Sequence, residues 1–329
     1  MSPVPRIGRV PARPASAEPR SEAAVGVVQA LAAYGLWGLM PLLFVAMAPA
    51  GATEIVAWRI LFALVFCAVL TAVLRAWGRL VALLRQPRVM GVMALAAFLI
   101  VVNWTVYVVA TTTGHTVEAA LGYFINPLVT IFLGVVLLGE RLRAAQWAAV
   151  GISVVAVVIV AVGYGRMPWI SLALAFSFGL YGLVKKRVSG VVDAVSGLTI
   201  ETMWLTPVAV IGLVVVATAS RGGITLTANG WVHALITIAA GPATAVPLLL
   251  FASSARRLSL STLGLTQYLT PVLQLVVGVW LQHEPMSPER WVGFALVWVA
   301  LVVLSTDGLL AGRRARRPVS DPVRVDPVV

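Results

Sequence analysis

Residues 119–139 read AALGYFINPLVTIFLGVVLLG, bounded by Glu118 and Glu140. This run holds no Asp, Glu, Lys or Arg. A helix needs roughly 20 apolar residues to cross about 30 Å of hydrocarbon, and this run is that long. Its apolar character is continuous rather than alternating, which predicts a helix and argues against a barrel strand. Near its middle sit an amide and a proline, Asn126 and Pro127.

Working outward, nine further runs lack charge: 23–53, 60–74, 89–117, 144–165, 167–184, 202–220, 222–255, 258–283 and 291–306. The second reaches full length when extended back through Arg59 to Ile55. The fold class is therefore all-α integral membrane. Ten transmembrane helices are expected near 24–46, 54–74, 90–112, 117–138, 145–163, 168–184, 198–218, 231–252, 260–281 and 291–308. Composition agrees: of 329 residues, 60% are hydrophobic and 11% charged, where a soluble domain carries about 25% charge. The single cysteine, Cys67, excludes a disulfide framework and a Cys-rich metal site. Residues 1–23 and 309–329, rich in arginine and proline, read as disordered tails. The first span reads as a retained signal anchor, with no A-x-A cleavage pattern after a short apolar core.

The net charge of +12 would suit a nucleic-acid partner, but its placement says otherwise. With the N-terminus inside, 20 of the 24 basic residues fall in inner segments. Arg166, Arg221 and Arg290 fall outside, and Arg59 lies within a span. This asymmetry is the positive-inside bias, which places both termini in the cytoplasm of a plasma-membrane protein. The basic C-terminal tail is also suited to touch anionic lipid.

The two halves echo one another at one offset. Gly35-Leu36-Trp37-Gly38-Leu39 returns as Gly179-Leu180-Tyr181-Gly182-Leu183, 144 residues on. Pro127, Gly134, Glu140 and Trp147 return as Pro271, Gly278, Glu284 and Trp291 at the same offset. The reading is a duplication, residues 24–163 and 168–308, each of five spans. An odd number obliges the second copy to enter from the opposite side, and inverted repeats of this kind mark secondary transporters.

At these residues the chain resembles the EamA group of the drug/metabolite transporter superfamily, and within it the RarD-type permeases. The resemblance rests on Gly122 to Leu128, Leu138-Gly139-Glu140-Arg141, Gln146-Trp147, Ala175 to Val184, Glu201 to Leu205, and Leu258 to Pro271. It implies two inverted five-helix repeats. It also implies a central cavity lined mainly by spans 1, 3, 4, 6, 8 and 9, with spans 5 and 10 peripheral, and a role in exporting small molecules. The chain departs from the family where His283-Glu284-Pro285 stands in place of a second Gly-Glu pair.

Pro127 and Pro271 are expected to kink spans 4 and 9, freeing the carbonyls of Tyr123 and Gln267 toward protein or a wet cavity. Tyr123, Asn126, Gln267, Tyr268 and Gln274 are then candidates for a polar ring around a substrate. Trp37, Asn103, Trp104, Tyr107 and Tyr181 are candidates for the remaining wall, where aromatic faces stack on apolar or cationic groups. Interhelical hydrogen bonding and packing are the competing roles. Glu54, Arg59, Glu118 and Glu201 are read as ionisable groups in or near the outer half. Arg59 is expected to pair with one of the three glutamates, as a gate or as a static anchor. Each glutamate is also a candidate carrier of a coupling proton. Glu140 and Glu284 are read as helix-end caps.

His115, His233 and His283 lack ligand spacing, so no metal is expected. No Walker loop, G-x-S-x-G or H-E-x-x-H occurs, and no cofactor or catalytic role is expected. The expected partners are a small-molecule substrate, membrane lipid and a coupling proton, not nucleic acid. A membrane enzyme acting on a lipid or isoprenoid, and a passive channel, are the rival functions. Reporter fusions after Leu138 and after Leu281 should report opposite sides of the bilayer; the same side for both would refute the inversion.

Overall fold

The computed structural model describes residues 19–138, 142–165, 167–188, 190–219, 223–255, 257–258 and 266–315. The two tails' outer parts, Glu140, Arg141 and the 259–265 segment lie outside the described residues. Among those described, every regular element is helical: α1 Pro19–Ala46, α2 Ala52–Val73, α3 Trp77–Leu84, α4 Pro87–Thr112, α5 Thr116–Leu138, α6 Ala144–Tyr164, α7 Trp169–Val188, α8 Ala194–Ala219, α9 Gly230–Ala255, α10 Leu269–Val276 and α11 Pro288–Ala315. A single π-helical turn, Val277–Leu281, continues α10.

Seven helices are long and apolar enough to span a bilayer: α1 from Ala24, α2, α4, α6, α8, α9 and α11. The apolar stretches Trp169–Lys185 in α7 and Leu269–Leu281 around α10 are shorter. Apolar side chains stand on outer as well as inner faces; Val162 is 76% exposed and Phe98 61%. In water so much exposed apolar surface would drive association, whereas lipid solvates it. Trp147, Trp169 and Trp231 stand exposed at helix ends, as an interfacial aromatic belt requires.

Sequence patterning did not foresee α3. Its eight residues turn Leu80 and Leu83 inward against Met93, Val188 and Ile200, while Arg79 points outward. Helix α3 marks one end of the bundle. Arg75, Arg85, Arg88, Arg143, Lys185 and Arg257 gather at this end.

The packing has an exchange symmetry. Helix α1 packs on α9, and its repeat counterpart α7 packs on α4. Likewise α1 meets α10 as α7 meets α5, and α2 meets α9 as α8 meets α4. Three contacts map onto themselves: α2 on α8, α5 on α10, and α6 on α11. The bundle core is thus built between the repeats, with α6 and α11 paired at its side.

Close approach of backbones depends on small residues. A Cβ on Gly241 of α9 would overlap the backbone carbonyl of Phe62 on α2, and one on Gly122 of α5 would lie 2.7 Å from the Ser171 carbonyl oxygen of α7. Gly241→Ala should lower stability in detergent by about 1–3 kcal/mol. Gly35→Ala, which meets open space, should stay within about 0.5 kcal/mol of the parent. Thermal unfolding of the purified variants checks both.

Candidate functional site

Between the repeats lies a cavity of about 810 Å³. It reaches the surface at the α3 end, where Arg79, Gly190, Val191 and Asp193 form its mouth, and it stops at Arg59, Trp104, Thr244 and Gln274. Helices α6 and α11 contribute nothing to its wall, but α2 and α8 do, through Arg59, Leu198 and Glu201. The six spans that the family resemblance implies supply most of the wall, and α2 and α8 add to it.

Of the ten side chains expected around the cavity, Trp37, Asn103, Trp104, Tyr107, Tyr123, Asn126, Tyr181, Gln267 and Gln274 line it. Tyr268 does not. It packs against the cluster that α11 shares with α5. Gln267 and Tyr268 form the turn that precedes α10, and of the two only Gln267 lines the cavity.

The wall is tied by a chain of polar contacts. The Tyr123 hydroxyl donates to Asn103 Oδ1 at 3.0 Å, and Asn103 Nδ2 donates to Ser177 Oγ at 3.0 Å and to the Leu174 carbonyl at 3.2 Å. Gln274 Nε2 donates to the Tyr107 hydroxyl at 2.8 Å. The Thr270 hydroxyl donates to the Tyr34 carbonyl at 2.8 Å. Rings extend this wall: Tyr107, Tyr123, Phe178 and Tyr181 follow one another at centroid spacings of 5.5–6.1 Å, with the buried Phe44 behind Tyr107 at 5.7 Å. Opposite them Tyr34, Trp37 and Phe251 form a second aromatic group. Asn126 Oδ1 and Gln274 Oε1 are buried without a hydrogen-bond partner.

Pro127 lies within α5 as expected. Pro271 belongs to α10, and the segment before residue 266 lies outside the described residues. It sits in the first turn of α10, where a missing N–H costs little, and the Gln267 carbonyl accepts from the Thr270 N–H at 3.3 Å.

The expected pairing of Arg59 with a glutamate is not formed. Among the described residues, Arg59 makes no ion pair. Its Nε donates to Thr244 Oγ1 at 2.7 Å, and its guanidinium carbon lies 4.4 Å from the centre of Trp104. Glu54 instead accepts from the Thr225 N–H and hydroxyl and from Trp58 Nε1. Glu118 accepts from the Ile170 N–H at the start of α7. Glu201 is not in the outer half with these groups: it lies in the first third of α8, toward the α3 end. There Lys185 Nζ donates to it at 2.7 Å and the Tyr181 hydroxyl at 3.2 Å. An ion pair across 16 residues and two helices has no local signature, which is why the pairing escaped a one-dimensional reading.

Two helix-end features follow from sequence signals. Glu284 accepts from the Thr116 and Val117 N–H groups, capping α5 as expected. His283, standing where the first copy has Gly139, has φ 54°, in the left-handed region that glycine favours. At the cavity mouth, partial burial pushes the Asp193 carboxyl upward. The Ser196 N–H and hydroxyl, together with Arg79, outweigh that and hold it below the usual range. It is therefore ionised at neutral pH and pairs with Arg79 at 3.7 Å.

A helical bundle of two exchanged repeats around a central cavity is the architecture of a multi-pass membrane transporter. The EamA-like transporter family model matches residues 24–162 and again 167–306, and the chain belongs to that family, within the drug/metabolite transporter superfamily. Protein RarD of Streptomyces exfoliatus is 50% identical over 296 residues, covering 90% of this chain and 93% of that one. Protein RarD of Escherichia coli is 41% identical over 292 residues, covering 89% and 97%. A Bacillus subtilis relative, uncharacterized transporter YojE, is 38% identical over 87% and 95%. One crystal structure superposes with a TM-score of 0.55 at 18% identity, covering 91% of this chain and 99% of that one, which shows a shared fold.

Lys185→Met alone leaves Glu201, 1% exposed, without its cation. Because Lys185 is partly exposed, the loss should be about 1–3 kcal/mol. Adding Glu201→Gln should recover most of it. Detergent melting curves check this; a double variant no better than Lys185→Met would refute the pairing as the cause.

Proposed function

We propose that the chain is a secondary transporter that exports small organic molecules across the plasma membrane by alternating access. The cavity between the repeats carries this reading. It is large enough for a metabolite or drug-sized molecule, reaches one end of the bundle and is closed toward the other. The basic bias assigns the open end to the cytoplasm. A cytoplasm-facing cavity loads substrate from inside, which suits export.

Ten spans in two inverted repeats, 24–163 and 168–308, supply the two states. Because the inter-repeat contacts exchange under repeat swapping, a conformation with the opposite end open can be built from equivalent contacts. The sequence carries no Walker motif, so the driving energy is a proton gradient or the substrate's own gradient. Glu201, held between a lysine and a tyrosine in the cavity wall, is the candidate proton carrier. Asn126 and Gln267, on α5 and just before α10, are positioned to meet the substrate from both repeats.

Purified protein in proteoliposomes should move members of a metabolite and antibiotic panel with saturation, at a rate that responds to an imposed pH gradient. Asn126→Ala and Gln267→Ala should each reduce that transport about tenfold while yield and melting stay near the parent's, the size of effect expected from one lost polar contact. Non-saturating flux would indicate a channel instead, and chemical conversion of the solute an enzyme.

A further inference from the structure

The cavity wall holds five charged side chains: Arg59, Arg79 and Lys185 against Asp193 and Glu201. Two of the cations are committed, Lys185 to Glu201 at 2.7 Å and Arg79 to Asp193 at 3.7 Å. Arg59 remains, and it sits at the closed end, 3% exposed. Its Nη1 is sealed from solvent and finds no hydrogen-bond partner among the described residues. A buried ion without a counter-charge is costly, by several kcal/mol. Its surroundings hold it in place all the same. Thr244 fixes Nε, and the Thr244 hydroxyl is itself anchored to the Ala240 carbonyl at 2.7 Å. Trp104 and Phe44 lie under the guanidinium at 4.4 and 5.4 Å.

We infer that the closed end of the cavity is a recognition site for a single organic carboxylate, with Arg59 as the group that holds it. This rests on the transporter reading above and names its substrate class. Among the described residues one uncommitted positive charge lines the cavity, which matches a monoanion; a phosphate ester dianion would call for a second free cation. A guanidinium pinned at Nε keeps other N–H groups to meet a carboxylate. The Tyr107 hydroxyl accepts from Gln274 Nε2, so its own proton is available to donate to the same anion. The rest of the molecule would meet Trp104, Tyr107 and Tyr123, so an aromatic or apolar body fits. The substrate class is therefore aromatic or amphipathic monocarboxylic acids. Binding supplies the missing counter-charge, so an occupied cavity is electrostatically more favourable than an empty one.

The test compares matched acid–amide pairs on the purified full chain in detergent: 3-phenylpropionate with 3-phenylpropionamide, and indole-3-acetate with indole-3-acetamide. Thermal unfolding and isothermal titration are the readouts, at a pH where both acids are ionised. In at least one pair the carboxylate should bind about tenfold or more tightly than its amide, as a charge-assisted contact predicts. Arg59→Gln should remove that preference. If Arg59→Gln does not fold, Thr244→Val, which frees Nε without removing the charge, should weaken the preference. Equal or amide-favouring binding by the parent protein in both pairs, or no binding of either acid, would overturn the inference whatever the variants do. Proteoliposome flux separates the two readings. Saturable transport of neutral or cationic solutes, with no carboxylate preference, would leave the transporter standing and refute the anion site. A carboxylate preference without any flux would keep the site and refute transport.

Discussion

Hydrocarbon offers no partner to a peptide N–H or C=O, so a chain that lives in it must satisfy its backbone from within. Everything else in this protein follows from that constraint. It forces helices wherever charge is absent, and it confines irregular backbone and polar side chains to places where protein or water can meet them. Here those places are the helix ends and the cavity between the repeats. Glu284 on the α5 terminus, Glu118 on the start of α7 and Glu54 on the turn at Thr225 all meet backbone donors that a helix cannot satisfy itself. Two of the four ionisable groups that first suggest a gate or anchor, Glu54 and Glu118, are thus explained as caps and ties, and a third, Glu201, is paired with Lys185.

The fourth, Arg59, has a different status. It is held by a hydroxyl and an aromatic face rather than by a carboxylate. Near the mouth the charges cancel in pairs. At the closed end they do not, so the cavity has an electrostatic direction along its length. That polarity comes from two helices, α2 and α8, which the family resemblance alone does not assign to the wall. A cavity of aromatic rings with, among the described residues, one free cation at its base has the makings of selectivity by both shape and charge.

The exchange of contacts between the halves bears on how such a cavity could change sides. Close packing makes interfaces bistable rather than continuously deformable. Two copies that meet through self-matching contacts have two equivalent ways of being asymmetric. The pair α6 and α11 stays outside this exchange around the cavity and joins the copies at the side.

Much of this was legible from residue order. Charge-free runs outlined most of the helices, because apolar length is a one-dimensional property. The 144-residue offset exposed the duplication, and the cavity-lining aromatics and amides stood out because polar groups are rare in such runs. The failures are equally physical. Tyr268 is expected beside Gln267 in the cavity wall, yet in the turn before α10 only Gln267 lines the cavity. The short helix α3 escaped notice because two leucines among arginines resemble a loop until Met93 and Ile200 cover them. The residues alone determined that this chain is a bundle of apolar helices in two related halves. Only the tertiary structure decided which charges are paired and which one is left over, because pairing depends on distances between helices far apart in sequence.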